Sequence, residues 1–221
     1  MRTYKALGAL LEYPTEELVA ALPEILAVLQ TEDLLAASDI DALQTLIDQL
    51  ACGDLFELQE DYVNTFDRGR ATCLNLFEHV HGESRDRGQA MVDLRQVYER
   101  AGLRLTAKQL PDYLPAMLEY LSLSEPGQAR DMLSDCGRIL QAIGAALMRR
   151  RSPYAAVLRA LLRLAGEQRP DKLIADTEVA DDSTPEALDR AWAEDPVTFM
   201  GGCSPQKPQA NIIQFYPGAA S

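Results

Sequence analysis

Apolar residues recur every three to four positions along most of this chain, the spacing that gathers them on one face of a helix. Tyr4, Leu7 and Leu11 form a first stripe, which ends at Tyr13-Pro14 because the residue before a proline is pushed out of the helical region. Thr15 is placed to cap a second helix, with Glu16 and Glu17 favourable in its first turn and Pro23 expected to kink or restart it. Ser38 predicts the N-cap of a third helix, with Leu43, Leu46, Ile47 and Leu50 inward and Gly53 just past its end. A fourth, over about 54–66, aligns Leu55, Leu58, Tyr62 and Phe66.

Residues 67–83 break the period. Ser84 then opens a helix to about residue 100, with Met91, Leu94 and Tyr98 on one side and Gly102 as its stop. Pro111 suits the first turn of the next helix, which carries Leu114, Met117, Leu118 and Leu121. Beyond Pro126 comes the strongest amphipathic run, through Ala129, Met132, Leu133, Cys136, Ile139, Leu140, Ile143 and Leu147. Ser152-Pro153 starts a last long helix with Val157, Leu158, Leu161 and Leu162 inward and Gly166 beyond it. No segment alternates with a period of two. The pattern predicts an all-α bundle of about eight helices over residues 1–170. Residues 171–221 form an acidic, then Gly/Pro-rich tail, with a short helix at 185–192 and the rest docked in pieces or mobile.

A length of 221 residues suits one domain, and 47% hydrophobic against 25% charged residues is an ordinary globular balance. No apolar run approaches the ~18 residues of a membrane span. Met1-Arg2-Thr3-Tyr4-Lys5 leads into an amphipathic pattern rather than an export signal, so a cytoplasmic location without stable membrane insertion is expected. The net charge of −13 argues against nucleic acid as a partner. Its distribution is more informative. Residues 1–67 hold 14 acidic against 2 basic side chains, whereas residues 138–170 hold 7 basic against 1 acidic. Residues 171–195 return to 9 acidic against 2 basic. Such asymmetry points to complementary surfaces within the molecule and an acidic face open to a cationic partner.

The segment Leu76 to Leu94 holds both histidines, His79 and His81, flanked by Glu78 and Glu83 and preceded by Cys73. A metal site needs three or four convergent ligands, and two histidines at i, i+2 do not face one ion together. A Cys73 nucleophile needs a base and an oxyanion site that the chain does not locate. Cys52 and Cys136 fall in helical patterns as small core residues, and Cys203 sits in a Gly-Pro turn. No phosphate loop occurs. Neither catalysis nor a resident metal or cofactor is expected.

The wording of Leu76-Phe77-Glu78-His79-Val80-His81-Gly82-Glu83-Ser84-Arg85-Asp86-Arg87-Gly88 resembles the signature of the respiratory nitrate reductase assembly chaperones. These are the NarJ branch of the TorD/DmsD-like redox-enzyme maturation proteins. Leu10-Leu11-Glu12-Tyr13-Pro14, Asp61-Tyr62-Val63-Asn64-Thr65-Phe66-Asp67 and Leu110-Pro111-Asp112-Tyr113-Leu114-Pro115 extend the likeness in the same order. The resemblance implies a TorD-like helical bundle that binds the apo catalytic (alpha) subunit of nitrate reductase, with its iron–sulfur beta subunit. The client's basic, helix-prone N-terminal segment is recognised, and the enzyme is kept competent for molybdenum cofactor insertion before membrane docking. The segment around Pro111 is expected to join two halves of the domain and border the client surface.

An all-α domain with an apolar groove can seat such a helix, with acidic rims speeding encounter and fixing orientation. The expected groove residues are Phe66, Leu76, Phe77, His79, His81, Met91, Tyr98, Tyr113, Met117 and Tyr120. Asp61, Asp67, Glu78, Glu83 and Glu119 are expected to face client charges, with Arg85 and Arg87 organising the loop. A histidine there would make affinity vary with pH around ~6.5. The rival reading is a carrier that holds molybdopterin through Arg138, Arg149, Arg150, Arg151, Arg159 and Arg163.

Overall fold

The computed structural model describes residues 1–80, 85–105 and 109–177, with side chains from residue 87 onward in the second span. The described residues hold ten α-helices and no strand, so the all-α expectation holds. The expected short helix at 185–192, with the rest of the tail beyond residue 177, lies outside them, as do His81, Glu83, Ser84 and Cys203.

Helix α1 (Arg2–Ala9) and the turn that closes it place Tyr4, Leu7, Leu10 and Leu11 in the core, and α1 packs along α6 (Leu114–Leu123). The two approach closely at Gly8, where an added Cβ would stand 3.3 Å from Leu118 Cβ and from the Pro115 carbonyl oxygen. The N-terminal ammonium donates to the Ser122 carbonyl oxygen at 2.7 Å and fixes the start of α1 against the end of α6. Helix α2 (Glu16–Thr31) begins at Thr15, whose hydroxyl accepts from the Leu18 amide at 3.2 Å. Pro23 does not end α2: Leu22, Ile25 and Leu29 are buried on either side of it, and that burial holds the helix through the missing amide donor.

Helix α3 (Ala37–Cys52) starts earlier than its sequence suggested. Ala36, not Ser38, is the N-cap, and no side chain caps the turn. The reason is tertiary: one turn of helix before Leu43 brings Asp39 inward, fully buried against Arg159 and Arg163. Helix α4 (Leu55–Tyr62) is capped by Asp54 and widens into a π-helical turn, Val63–Asp67. Single 3₁₀ turns follow at Arg70–Thr72 and Leu76–His79. Helix α5 (Arg85–Arg100) fully buries only Leu94 and Tyr98 among its described side chains, and Gly102 ends it at φ 80°.

Proline placement shifted several starts. Pro111 lies before α6, whose N-cap is Tyr113 and whose first-turn proline is Pro115. The long amphipathic run divides at Cys136 into α7 (Pro126–Asp135) and α8 (Gly137–Arg149). Helix α9 (Ala155–Leu164) has its N-cap at Tyr154, two residues past Ser152, and lies against α8. A further helix, α10 (Pro170–Ala175), buries Ile174 against Gly144 of α8, so part of the segment assigned to the tail docks on the bundle. Cys136 is core, but Cys52 is exposed, because it closes α3 on the turn that faces solvent. No described helix is long and apolar enough to cross a membrane.

Candidate functional site

The loop after α4 and the segment before α6 cross as a short antiparallel bridge between Asn75 and Tyr113. The Leu114 amide donates to the Leu74 carbonyl oxygen at 2.9 Å, and the Leu76 amide to that of Asp112 at 3.0 Å. Asp112 is fully buried at this crossing. One carboxylate oxygen accepts from the Phe77 amide at 3.0 Å, while the other has no hydrogen-bond partner among the described residues. Burial pushes its pKa up, opposed by the Phe77 amide and by the charge of Arg87. Arg87 pairs with Glu78 at 3.3 Å, both about a quarter to a third exposed, which gives it the loop-organising role expected from the sequence.

His79 Nε2 lies 2.8 Å from the Cys73 carbonyl oxygen. A carbonyl only accepts, so Nε2 carries the proton. Burial lowers the His79 pKa, against smaller raising contributions from Cys73 and Glu78. Its charging therefore moves below ~6.5 and away from the pH range first expected for client affinity. Burial also pushes the Cys73 thiol up to about 12, which leaves it protonated and unreactive near neutrality.

Asp112 yields a test of this crossing. A carboxyl whose folded pKa is raised contributes stability below its unfolded value and loses it as pH rises through the folded value. Asp112→Asn keeps an acceptor for the Phe77 amide and removes the buried charge. The variant should therefore gain on the wild type as pH rises from the ordinary carboxylate range to neutrality, read as denaturant midpoints at each pH. A stability difference that stayed flat with pH would refute it.

The opposite face of the crossing is an edge of tyrosines and acids. Tyr62 Oη donates to the Leu11 carbonyl oxygen at 2.8 Å and stands 3.2 Å from Tyr113 Oη, which in turn reaches Glu12 at 3.5 Å. Tyr13 meets Tyr62 edge-on with ring centres 5.5 Å apart, and Phe66 continues the stack to Tyr154 at 4.9 Å. Glu12 and Asp67 both have raised pKa values, chiefly through burial, and neither forms an ion pair with a described residue. Tyr13 is 42% exposed beside them, and Phe56, in the first turn of α4 next to Asp54, Glu57 and Glu60, is 82% exposed. A hollow of about 350 Å³ opens on the α5 side, lined by Met91, Val92, Arg95, Leu105, Gln109, Leu110 and Pro111.

The sequence-based groove residues divide. Phe66, Leu76, Phe77, Tyr98 and Met117 are all 3% exposed or less and form the floor beneath the crossing rather than open surface. Met91, Tyr113 and Tyr120 are half-buried, and Tyr120 rests on Tyr98 with ring centres 5.2 Å apart. Asp61, Asp67 and Glu119 face outward, but Glu119 pairs with Lys5 at 3.1 Å and Glu78 is held by Arg87. Glu12, Tyr13 and Phe56 were missed as site residues. The first two lie in the motif Leu10-Leu11-Glu12-Tyr13-Pro14 and were therefore detectable, but no periodic signal marks Phe56 as outward-facing. The arginine set of the carrier reading is dispersed. Arg159 and Arg163 lock onto Asp39, and Arg150 donates to the Thr65 carbonyl oxygen and Thr72 Oγ1, each at 3.2 Å.

A family model described as "Nitrate reductase delta subunit" matches residues 16–160. The nitrate reductase molybdenum cofactor assembly chaperone NarJ of Escherichia coli strain K12 is 43% identical over 198 residues, covering 88% of this chain and 84% of that protein. A probable chaperone of the same description, NarW, from the same strain is 41% identical over 90% of this chain and 84% of its own length. The probable NarJ chaperone of Bacillus subtilis strain 168 is 34% identical over 72% of this chain and 86% of its own.

Proposed function

The chain belongs to the nitrate reductase delta subunit family, and from that membership we propose how it serves as a molybdenum cofactor assembly chaperone rather than as an enzyme. Its client is the apo catalytic subunit of a respiratory nitrate reductase, together with the iron–sulfur beta subunit, met in the cytoplasm. The basic amphipathic N-terminal helix of the client lies along the Glu12–Tyr113–Asp67 edge. Glu12 and Asp67 supply the charges, and Tyr13 with the exposed Phe56 of α4 the apolar contact.

One observation carries this reading: two partly desolvated carboxylates, Glu12 and Asp67, sit without a described cation beside an exposed aromatic ring. A lysine or arginine of the client relieves that unfavourable charge burial, and the gain is realised only on binding. The protein does no chemistry on its client. It lowers the free energy of the open, cofactor-accepting conformation by binding that conformation in preference to the closed one. The helical body to about residue 170 is the binding unit.

Titration calorimetry with a basic amphipathic peptide, set against free molybdopterin, tests the proposal. A one-to-one peptide complex that weakens with added salt is expected, with no heat from the cofactor. Binding of molybdopterin in the absence of peptide binding would overturn it in favour of a carrier.

A further inference from the structure

Between α3, α9 and α10 runs a furrow that the described chain leaves uncovered. Its first hollow, about 270 Å³, is walled by Ala42, Thr45, Met148, Ala156 and Ile174. A second, about 260 Å³, shares Ser152 and Pro153 with the first and continues past Leu46, Leu50 and Tyr154. Met148 is 42% exposed there, so an apolar strip stands open to water. Arg151 lines the second hollow, and Arg149 lies two residues before it in the last turn of α8. Both are exposed, and neither forms an ion pair with a described residue. Asp61 and Asp171 also border the furrow, Asp171 being held by Arg159 at 3.2 Å.

Arg151 adds a second observation. It holds φ at 54°, in the left-handed region where glycine is the low-cost residue and other side chains are uncommon. The backbone there asks for glycine, and the chain supplies a long cation beside an apolar furrow. The position closes α8: the Ser152 amide donates to the Leu147 carbonyl oxygen at 2.9 Å and the Arg151 amide to that of Met148 at 3.0 Å, which projects the Arg151 side chain from the helix end.

We propose that the furrow is the seat of this chain's own residues 185–195. Three features select that occupant. The described structure ends at Thr177, immediately after α10, whose Asp171 and Ile174 form one wall of the furrow. Eight residues from Thr177 to Pro185 span up to roughly 27 Å, ample to bring the segment back. Residues 178–195 carry 7 acidic against 1 basic side chain, complementary to Arg149 and Arg151. Wound as a helix, residues 185–195 align Ala187, Leu188, Ala191 and Trp192 on one face, with Glu186 and Asp189 on the other. A tether this short gives an effective concentration near the millimolar range, so even modest contacts close the furrow. This docking is independent of the client reading.

Trp192 is the chain's single tryptophan, so its fluorescence reports the contact without a label. In the full-length wild type, the emission should be blue-shifted and shielded from acrylamide. Salt near ~1 M, where the screening length falls to about 3 Å, should move it towards the emission of a water-exposed indole. Arg149→Glu combined with Arg151→Gly should do the same, and so should Thr45→Glu, which places an acid in the furrow at an exposed position. Arg151→Gly alone should leave the unfolding midpoint unchanged or raise it, which separates loss of docking from loss of folding. Emission typical of exposed indole in the wild type would overturn the proposal, as would a blue shift indifferent to all three furrow substitutions. A blue shift that appears only with rising protein concentration, alongside a dimer by light scattering, would overturn it in favour of a second copy as occupant.

Discussion

Replacing Asp39 with alanine should destabilise the fold by about 3–5 kcal/mol, the cost of removing one partner from a buried ion-pair network. Asp39 is fully buried in the first turn of α3. It contacts Arg159 Nε at 2.9 Å through one oxygen, an ion contact off hydrogen-bond alignment, and accepts from Arg163 Nε through the other. Arg159 also donates to the Ser38 carbonyl oxygen at 2.7 Å and pairs with Asp171 of α10. One carboxylate therefore ties α3, α9 and α10 into a single packed unit. Its loss leaves Arg163, 25% exposed, without a counter-charge, and Arg159, 20% exposed, with Asp171 alone. Urea unfolding should show a lower midpoint at an unchanged slope. Arg163→Ala added to Asp39→Ala should cost less than the sum of the two single changes, since the second removes a cation already stranded. An Asp39→Ala midpoint equal to wild type would show that the network contributes nothing.

Charge reversal at the tyrosine edge should have the largest effect on function. Glu12→Lys with Asp67→Lys should weaken binding of a basic amphipathic peptide by about tenfold to a hundredfold, or about 1.4–2.8 kcal/mol. The estimate exceeds that for ordinary surface pairs because Glu12 is half-buried, whereas the exposed Asp67 adds no more than a surface pair does. The slope of affinity against salt should flatten as well. The sign with pH follows from the raised pKa values of Glu12 and Asp67: a cationic client favours their charged forms, so wild-type affinity should climb as pH rises from the ordinary carboxylate range towards neutrality. The reversed variant should lack that climb. Equal peptide affinity in variant and wild type, with both folded by circular dichroism, would remove the edge from the client surface.

The sequence by itself determined the class of the fold, the count of helices among the described residues to within two, and the family. Amphipathic periodicity is local: Leu43, Leu46, Ile47 and Leu50 fall on one face whatever packs there, and all are buried. Thr15 capped α2 as written, because a cap depends only on the next three residues. Family wording located the crossing at Leu110-Pro111-Asp112-Tyr113-Leu114-Pro115, but not which of its side chains face water.

Tertiary structure decided the rest. Ser38 lost its cap position because α3 starts early enough to bury Asp39 between arginines more than a hundred residues away. Phe66, Tyr98 and Met117 became floor and Glu12, Tyr13 and Phe56 became surface, although all six lie within or beside amphipathic segments, and Leu76 and Phe77 joined the floor from a stretch with no period at all. Periodicity says which residues share a face. Only the neighbouring helix says whether that face is covered, and the pairing of α1 with α6 and of α4 with the Tyr13-Pro14 turn is a long-range event with no local signal.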